Sequence, residues 1–309
     1  MRIKRKGGIL MNGYWIGVAT ITGIYLIAIL GVSILTGFTG LFSMGHAGFM
    51  AIGAYVSALI TKSFDLPLYI GLLAGMLAAV AIGIIIGYPT LRLSGDYFVI
   101  ATLGFGEVVK LAVENMNVTG GARGLTGVPG GITLTQIIII NIVIIIFLKN
   151  FLSSRHGRNC IAIREEELAA KTVGINITLY KMIALCISCA LTGLSGGLLG
   201  HYMRYLHPSM FSGLKSNELI MTVILGGRGS ITGTILATCF LVPLPEFLRL
   251  STGQEWRMVI YGLLVILVII KRPAGLMGNK EFSIQDIKKL KVFLKNRLIS
   301  SKGGELSDK

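Results

Sequence analysis

Three ionisable side chains, Glu107, Lys110 and Glu114, stand three and four residues apart in a stretch that is otherwise apolar. That spacing places them on one helical face, where they can neutralise one another. A charge at membrane depth is costly unless it meets protein or water. The face therefore either lines a solute path or forms an internally paired ladder near a helix end. Glu218 allows the same two readings: a path residue, or an acid at a helix start. Nothing gathers for catalysis, because the carboxylates are scattered and no Ser/His or His/Asp/Glu set converges. His46, His156, His201 and His207 show no ligand spacing, so no metal site is expected. Cys186 and Cys189 make a C-x-x-C, but in an apolar helical stretch with no second pair and no adjacent His. Small-residue packing accounts for them better than redox or metal chemistry.

A second set lies in the polar stretch Ser153–Lys181, which reads SSRHGRNCIAIREEELAAKTVGINITLYK. Ile161–Val173 lacks Gly and Pro, so the pattern predicts a helix there. Glu165, Glu166 and Glu167 sit near its start, where the helix dipole favours acids. Lys171 follows Glu167 by four residues, and Gly174 supplies a stop. Such a short helix is either a solvated loop or a handle for a soluble partner.

The elements that must position these residues follow from composition. Of 309 residues, 53% are hydrophobic and 14% charged, with a mean hydropathy of +0.76. One water-exposed domain of this length could not bury so much apolar surface. The expected fold is all-α, a polytopic transmembrane bundle of about 8–10 spans, some broken or re-entrant. Clear spans are Tyr14–Leu35, Leu68–Tyr88, Ile132–Phe151, Met182–Leu199, Ile231–Leu248 and Met258–Ile270. Phe38–Ile60, Asp96–Met116 and Ser216–Leu225 are apolar but interrupted. Glycine is frequent at 41 residues, which suits close helix packing. The first span is too long for a secretory signal and no A-x-A site follows it.

The net charge of +15 is clustered before the first span, in Ser153–Lys181 and after Ile270. Basic clusters flanking spans mark the cytoplasmic side, so both termini and the central stretch are expected there. The hydropathy argues against nucleic acid as the partner of this charge. Five candidate spans separate the N-terminus from the central stretch, yet a shared side needs an even number. One interrupted segment is therefore expected to be broken or re-entrant, and broken helices are where transporters place substrate. The membrane-spanning part is set at residues 1–278, with its long polar loop at about 153–181. Residues 279–309 form a basic cytoplasmic tail whose apolar spacing suits either a helix on anionic lipid or a solvated segment.

Several ordered motifs carry a more specific signal. AIREEELAAKTVGIN at Ala162–Asn176 resembles the loop signature of branched-chain amino acid ABC permeases, the LivM-type subunit. RLSGDYFVIATLGFGEVVK (Arg92–Lys110), TGGARGLTGVPG (Thr119–Gly130), SNELIMTVILGGRGSITGTILA (Ser216–Ala237), LPEFLR (Leu244–Arg249) and KRPAGLMG (Lys271–Gly278) are similar to that family too. The resemblance covers roughly residues 15–278. Urea and short-chain amide permeases share most of it, and a stand-alone secondary transporter is a third reading.

The resemblance implies a subunit of an ATP-driven importer in a bacterial or archaeal cell membrane. Its partners would be a second homologous permease in a heterodimer, two ATP-binding subunits, an extracytoplasmic amino-acid-binding protein and membrane lipid. The chain has no G-x-x-x-x-G-K-[ST] loop. It is therefore expected to bind no cofactor itself, with ATP and Mg on the ATPase partners, and to be no enzyme. The loop helix would dock on an ATPase, with Arg164, Glu165, Glu166 and Glu167 as polar contacts and Ala169, Ala170 and Gly174 allowing close approach. Glu107, Lys110, Glu114 and Glu218 are candidates for lining the path of a zwitterionic amino acid.

Overall fold

The computed structural model describes residues 2–93 and 95–251, then residues 262, 263, 266, 270, 271 and 275–278. The expected span at Met258–Ile270, apart from isolated positions, and the tail at 279–309 lie outside the described residues. Backbone N–H and C=O groups have no water to pair with in lipid, so the apolar runs wind into helices. α1 spans Arg2–Val32 and runs into a π-helical segment, Ser33–Phe38. α2 (His46–Phe64), α3 (Leu68–Thr90) and α4 (Asp96–Asn115) follow. α5 covers Leu134–Ser153, and the short pair α6 (Arg155–Glu165) and α7 (Glu167–Thr172) leads to α8 (Ile177–Met203). α9 (Gly213–Gly226), α10 (Ile231–Leu241) and α11 (Leu244–Ser251) complete the described helices. Among the described residues, strand is confined to β1 (Leu125–Thr126) paired antiparallel with β2 (Tyr205–Leu206). Five of the described helices are long and apolar enough to cross a membrane: 13–38, α2, α3, α5 and α8. The architecture is the expected all-α polytopic bundle.

Small residues set its centre. α2, α3 and α8 touch at backbone distance, because a Cβ on Gly53 would overlap the backbone of Gly193, and one on Gly196 would overlap the Met50 carbonyl. A Cβ on Gly83 would stand 2.6 Å from Cys189 Sγ. Cys189 is thus a packing residue, in line with the sequence, and the cysteines are free. Apolar tails contribute little net attraction between helices in lipid, so such close contact and buried hydrogen bonds must hold them together. His46 and His201, both almost wholly buried, supply two of those bonds. His46 Nδ1 lies 2.8 Å from the Ser43 carbonyl, with Nε2 2.9 Å from Ser188 Oγ of α8. His201 Nδ1 lies 2.7 Å from the Pro129 carbonyl, with Nε2 2.9 Å from Ser57 Oγ of α2. A carbonyl can only accept, so Nδ1 donates in each ring and each imidazole joins α2 to α8 through a serine.

The path of the chain fixes the direction of α1 within the bundle. Gly17 of α1 stands by the Tyr202 hydroxyl near the end of α8, and Gly37 stands by Gly229. α1 therefore starts at the end of the bundle opposite α6–α7 and finishes beside them. Five helices (α1 with its π segment, α2, α3, α4 and α5) run between Gly13 and Arg155, and four of them are long and apolar enough to cross a membrane. Gly13 and Arg155 thus stand toward opposite ends of the bundle. Residues 276 and 277 return to the α6–α7 end, where their N–H groups donate to the carbonyls of Leu225 and Gly226.

Other expected boundaries shift too. The break in Phe38–Ile60 falls at 39–45, after which α2 is continuous through its glycines. The interrupted segment at Asp96–Met116 is one regular helix. Ile231–Leu248 is divided at Val242–Pro243, where proline lacks the N–H a continuing helix would use. The predicted helix at Ile161–Val173 is two helices. Glu166 is extended at φ −157°, ψ 108° and separates α6 from α7. Gly174 does end α7, in the left-handed region at φ 86°.

Candidate functional site: a loop clasp and a discontinuous segment

The α6–α7 pair is built from its caps inward. Ser154 accepts from the Gly157 N–H to open α6. Cys160 and Ile163 point inward. Burial pushes the Cys160 thiol pKa up, against a smaller lowering from a hydrogen bond with Thr39. Arg164 also turns inward: its Nη1 donates to the Gly37 carbonyl at 2.9 Å, while its Nε and Nη2 pair with Glu165. Across the break, Glu167 pairs with Lys181 of α8 at 2.7 Å. Ala170 is buried at 4% exposure.

These contacts sort the seven expected coupling residues. Glu165, Glu166, Glu167, Ala169 and Gly174 are exposed, whereas Ala170 packs inside and Arg164 serves an internal bond. Arg164 and Ala170 thus face the chain itself, with the extended Glu166 turning the backbone between the two helices. Sequence reasoning missed Leu168 and Val173, which stand 74% and 80% exposed. Apolar side chains that far out of a charged loop were the available signal.

The expected broken helix is the segment 39–45. It leads from the π segment to the start of α2, which lies alongside the interior of α8 at Ser188. Irregular backbone at this depth must find partners, and it does. The Leu41 N–H donates to Leu35 O at 3.0 Å and the Met44 N–H to Thr102 Oγ1 of α4 at 3.0 Å. At the α2 start, the Ala47 N–H donates to Ser216 Oγ of α9 at 2.9 Å.

The candidate path residues separate into two pairs and one residue apart. Lys110 reaches Glu107 at 3.3 Å, with side chains 25% and 41% exposed. Lys215 reaches Glu218 at 2.8 Å and lies 4.0 Å from the centre of the Tyr25 ring. Tyr25, Lys215 and Glu218 line a cleft of about 270 Å³ between α1, α9 and α10. Glu114 joins neither pair. Glu107 has a further partner that its spacing did not reveal: its Oε1 accepts from the Gly213 N–H at 3.0 Å, at the first residue of α9. A carboxylate there meets an N–H that the helix leaves without a partner and the positive end of its dipole.

This yields a discriminating prediction. Glu107→Gln keeps an acceptor for Gly213, so it should cost about 1 kcal/mol, whereas Glu107→Ala leaves that N–H bare for about 1–3 kcal/mol. Thermal unfolding in detergent together with solute uptake should rank Gln well above Ala. Equal loss in both variants would show that the charge, not the cap, matters.

At the opposite end the glycine-rich loop is pinned over α2 and α8. Lys62 Nζ donates to the Thr126 carbonyl at 2.8 Å and Tyr205 Oη to the Arg123 carbonyl at 3.0 Å, beside the His201 bond to Pro129. Gly120 and Gly124 adopt φ 81° and 79°, which their turns require. Among the described residues no cluster of His, Cys, Asp or Glu could hold a metal ion.

Comparison with known proteins adds the following. A family model described as the branched-chain amino acid transport system permease component matches residues 14–269. The high-affinity branched-chain amino acid transport system permease protein LivM of Salmonella typhimurium is 35% identical over 85% of this chain and 69% of its own length. BraD of Pseudomonas aeruginosa, a permease protein of a system of the same description, is 25% identical over 88% of this chain and 95% of its own. LivH of Salmonella typhimurium is 24% identical over 85% and 94%. No solved structure matches.

Proposed function

Because this chain belongs to the branched-chain amino acid transport system permease component family, we propose that it is the membrane-spanning permease subunit of an ATP-binding cassette importer for leucine, isoleucine and valine. It is a multi-pass membrane protein of a transport system, and LivM and LivH, both among its relatives, support a second permease as partner. The observation that carries the coupling role is α7. It stands at one end of the bundle, held from within by the Glu167–Lys181 pair, and presents Leu168 and Val173 outward. Exposed apolar groups amid charge suit an interface centre with a polar rim. The occupant is an ATPase subunit, so α6–α7 and residues 276 and 277 face the cytoplasmic side of a bacterial or archaeal cell membrane. The first described side chains of α1 then lie outside, as does the glycine-rich loop, where a binding protein delivers the amino acid.

The path runs along the face carrying Glu107–Lys110 and Lys215–Glu218. Half-exposed charges cannot face lipid cheaply, so water or the second permease meets them. This chain binds no nucleotide, and ATP with Mg resides on the ATPase partners. The test is uptake in a strain lacking the gene. Leucine, isoleucine and valine uptake should fall to background and return on complementation. Retained leucine uptake with lost urea or amide uptake would overturn the substrate assignment.

A further inference from the structure

We propose that Arg164 is a positioning residue that transmits movement of α6–α7 into the membrane, by clamping the end of α1 to the turn between α9 and α10. The inference rests on the permease reading above. Its side chain is 17% exposed, against 64% for the adjacent Glu165. It therefore points into the chain and not at a docked partner. The guanidinium donates to the carbonyl of Gly37, in the π segment. The last carbonyls of a helix have no intrahelical partner, and a cation is favoured at that end of the dipole.

Two further backbones close on the same side chain. A Cβ on Gly40 would stand 3.1 Å from Arg164 Cγ, and one on Gly229 would fall on Arg164 Nη1. Gly40 and Gly229 adopt φ 78° and 94°, so each turn needs glycine for its conformation as well as its space. Three segments of irregular or tightly turned backbone thus meet at one arginine side chain. They are the π segment, the entry to the discontinuous stretch at 39–45, and the α9–α10 turn. A π turn departs from the regular α ladder by one residue per turn and is frequent at functional sites. Arg164 therefore sits where rigid displacement of α6 becomes a change of register at the end of α1. The same displacement shifts the turn between two short helices.

The test uses the complete importer in lipid nanodiscs, with its ATPase subunits and binding protein, measuring ATP hydrolysis and solute uptake on matched vesicle preparations. Arg164→Ala and Gly229→Ala should still co-purify with the ATPase subunits and hydrolyse ATP within about twofold of the unaltered complex. Uptake should fall tenfold or more, so the ATP used per solute rises about tenfold. Arg164→Lys offers a single donor to Gly37 and should fall between. Unchanged uptake in Arg164→Ala overturns the proposal. So does loss of the ATPase subunits from both Arg164 variants, which would make Arg164 a docking or folding group. If the unaltered complex neither assembles nor transports, the permease reading itself fails, and this proposal with it.

Discussion

Alanine at Gly196 should strip the protein from the membrane fraction, although it adds one methyl group. The methyl would overlap the backbone carbonyl of Met50, which no side-chain rotation can move aside. α2 and α8 would have to separate, breaking the His46–Ser188 and Ser57–His201 bonds that lie on either side of this contact. Overpacking a close-packed interior costs about 1–3 kcal/mol where side chains can adjust, and here they cannot. Two buried hydrogen bonds add about 1 kcal/mol each. A domain of marginal stability does not survive such a loss. Membrane yield and detergent melting of Gly196→Ala provide the check, with Gly13→Ala as comparison, since a Cβ on Gly13 meets nothing within 4 Å. Equal yields would mean that the helices are not in backbone contact.

Aspartate at Leu168 and Val173 should do the reverse, leaving the protein folded and inserted while abolishing transport. Both side chains are largely exposed, so the fold should shift by no more than about 0.5 kcal/mol. At an interface centre, an apolar anchor is worth about 2 kcal/mol or more, some thirtyfold in affinity. Adding a desolvated charge at both positions deepens the loss. Pull-down of ATPase subunits and ATP-driven uptake should both fall to background with normal membrane yield. Normal uptake would show that α7 is not the docking element.

The sequence made the long elements legible and hid the contacts between them. Apolar runs marked α1, α3, α5 and α8, because length and hydropathy are local properties. Gly174 was readable as a stop for the same reason. Glu166 was not readable as a break, since three consecutive glutamates favour helix on propensity alone. What overrides propensity there is tertiary: Arg164 is drawn to Gly37, 127 residues away, and Glu167 to Lys181 of the next helix. His46 and His201 looked dispersed because their serine partners lie 142 and 144 residues off in the chain. Glu107 looked like one member of a charged ladder because nothing nearby in sequence announces Gly213, 106 residues on.

The two histidines, one at the start of α2 and one near the end of α8, determine where this machine can flex. Helices separated by side chains can slide, because rotamers re-mesh at each step. Helices in backbone contact, pinned at two levels by imidazole–hydroxyl bonds, resist both slipping and rolling over one another. α2, α3 and α8 consequently behave as a stator. A transport stroke must be carried by what surrounds it, namely the short helices α9 and α10 and the π-wound end of α1.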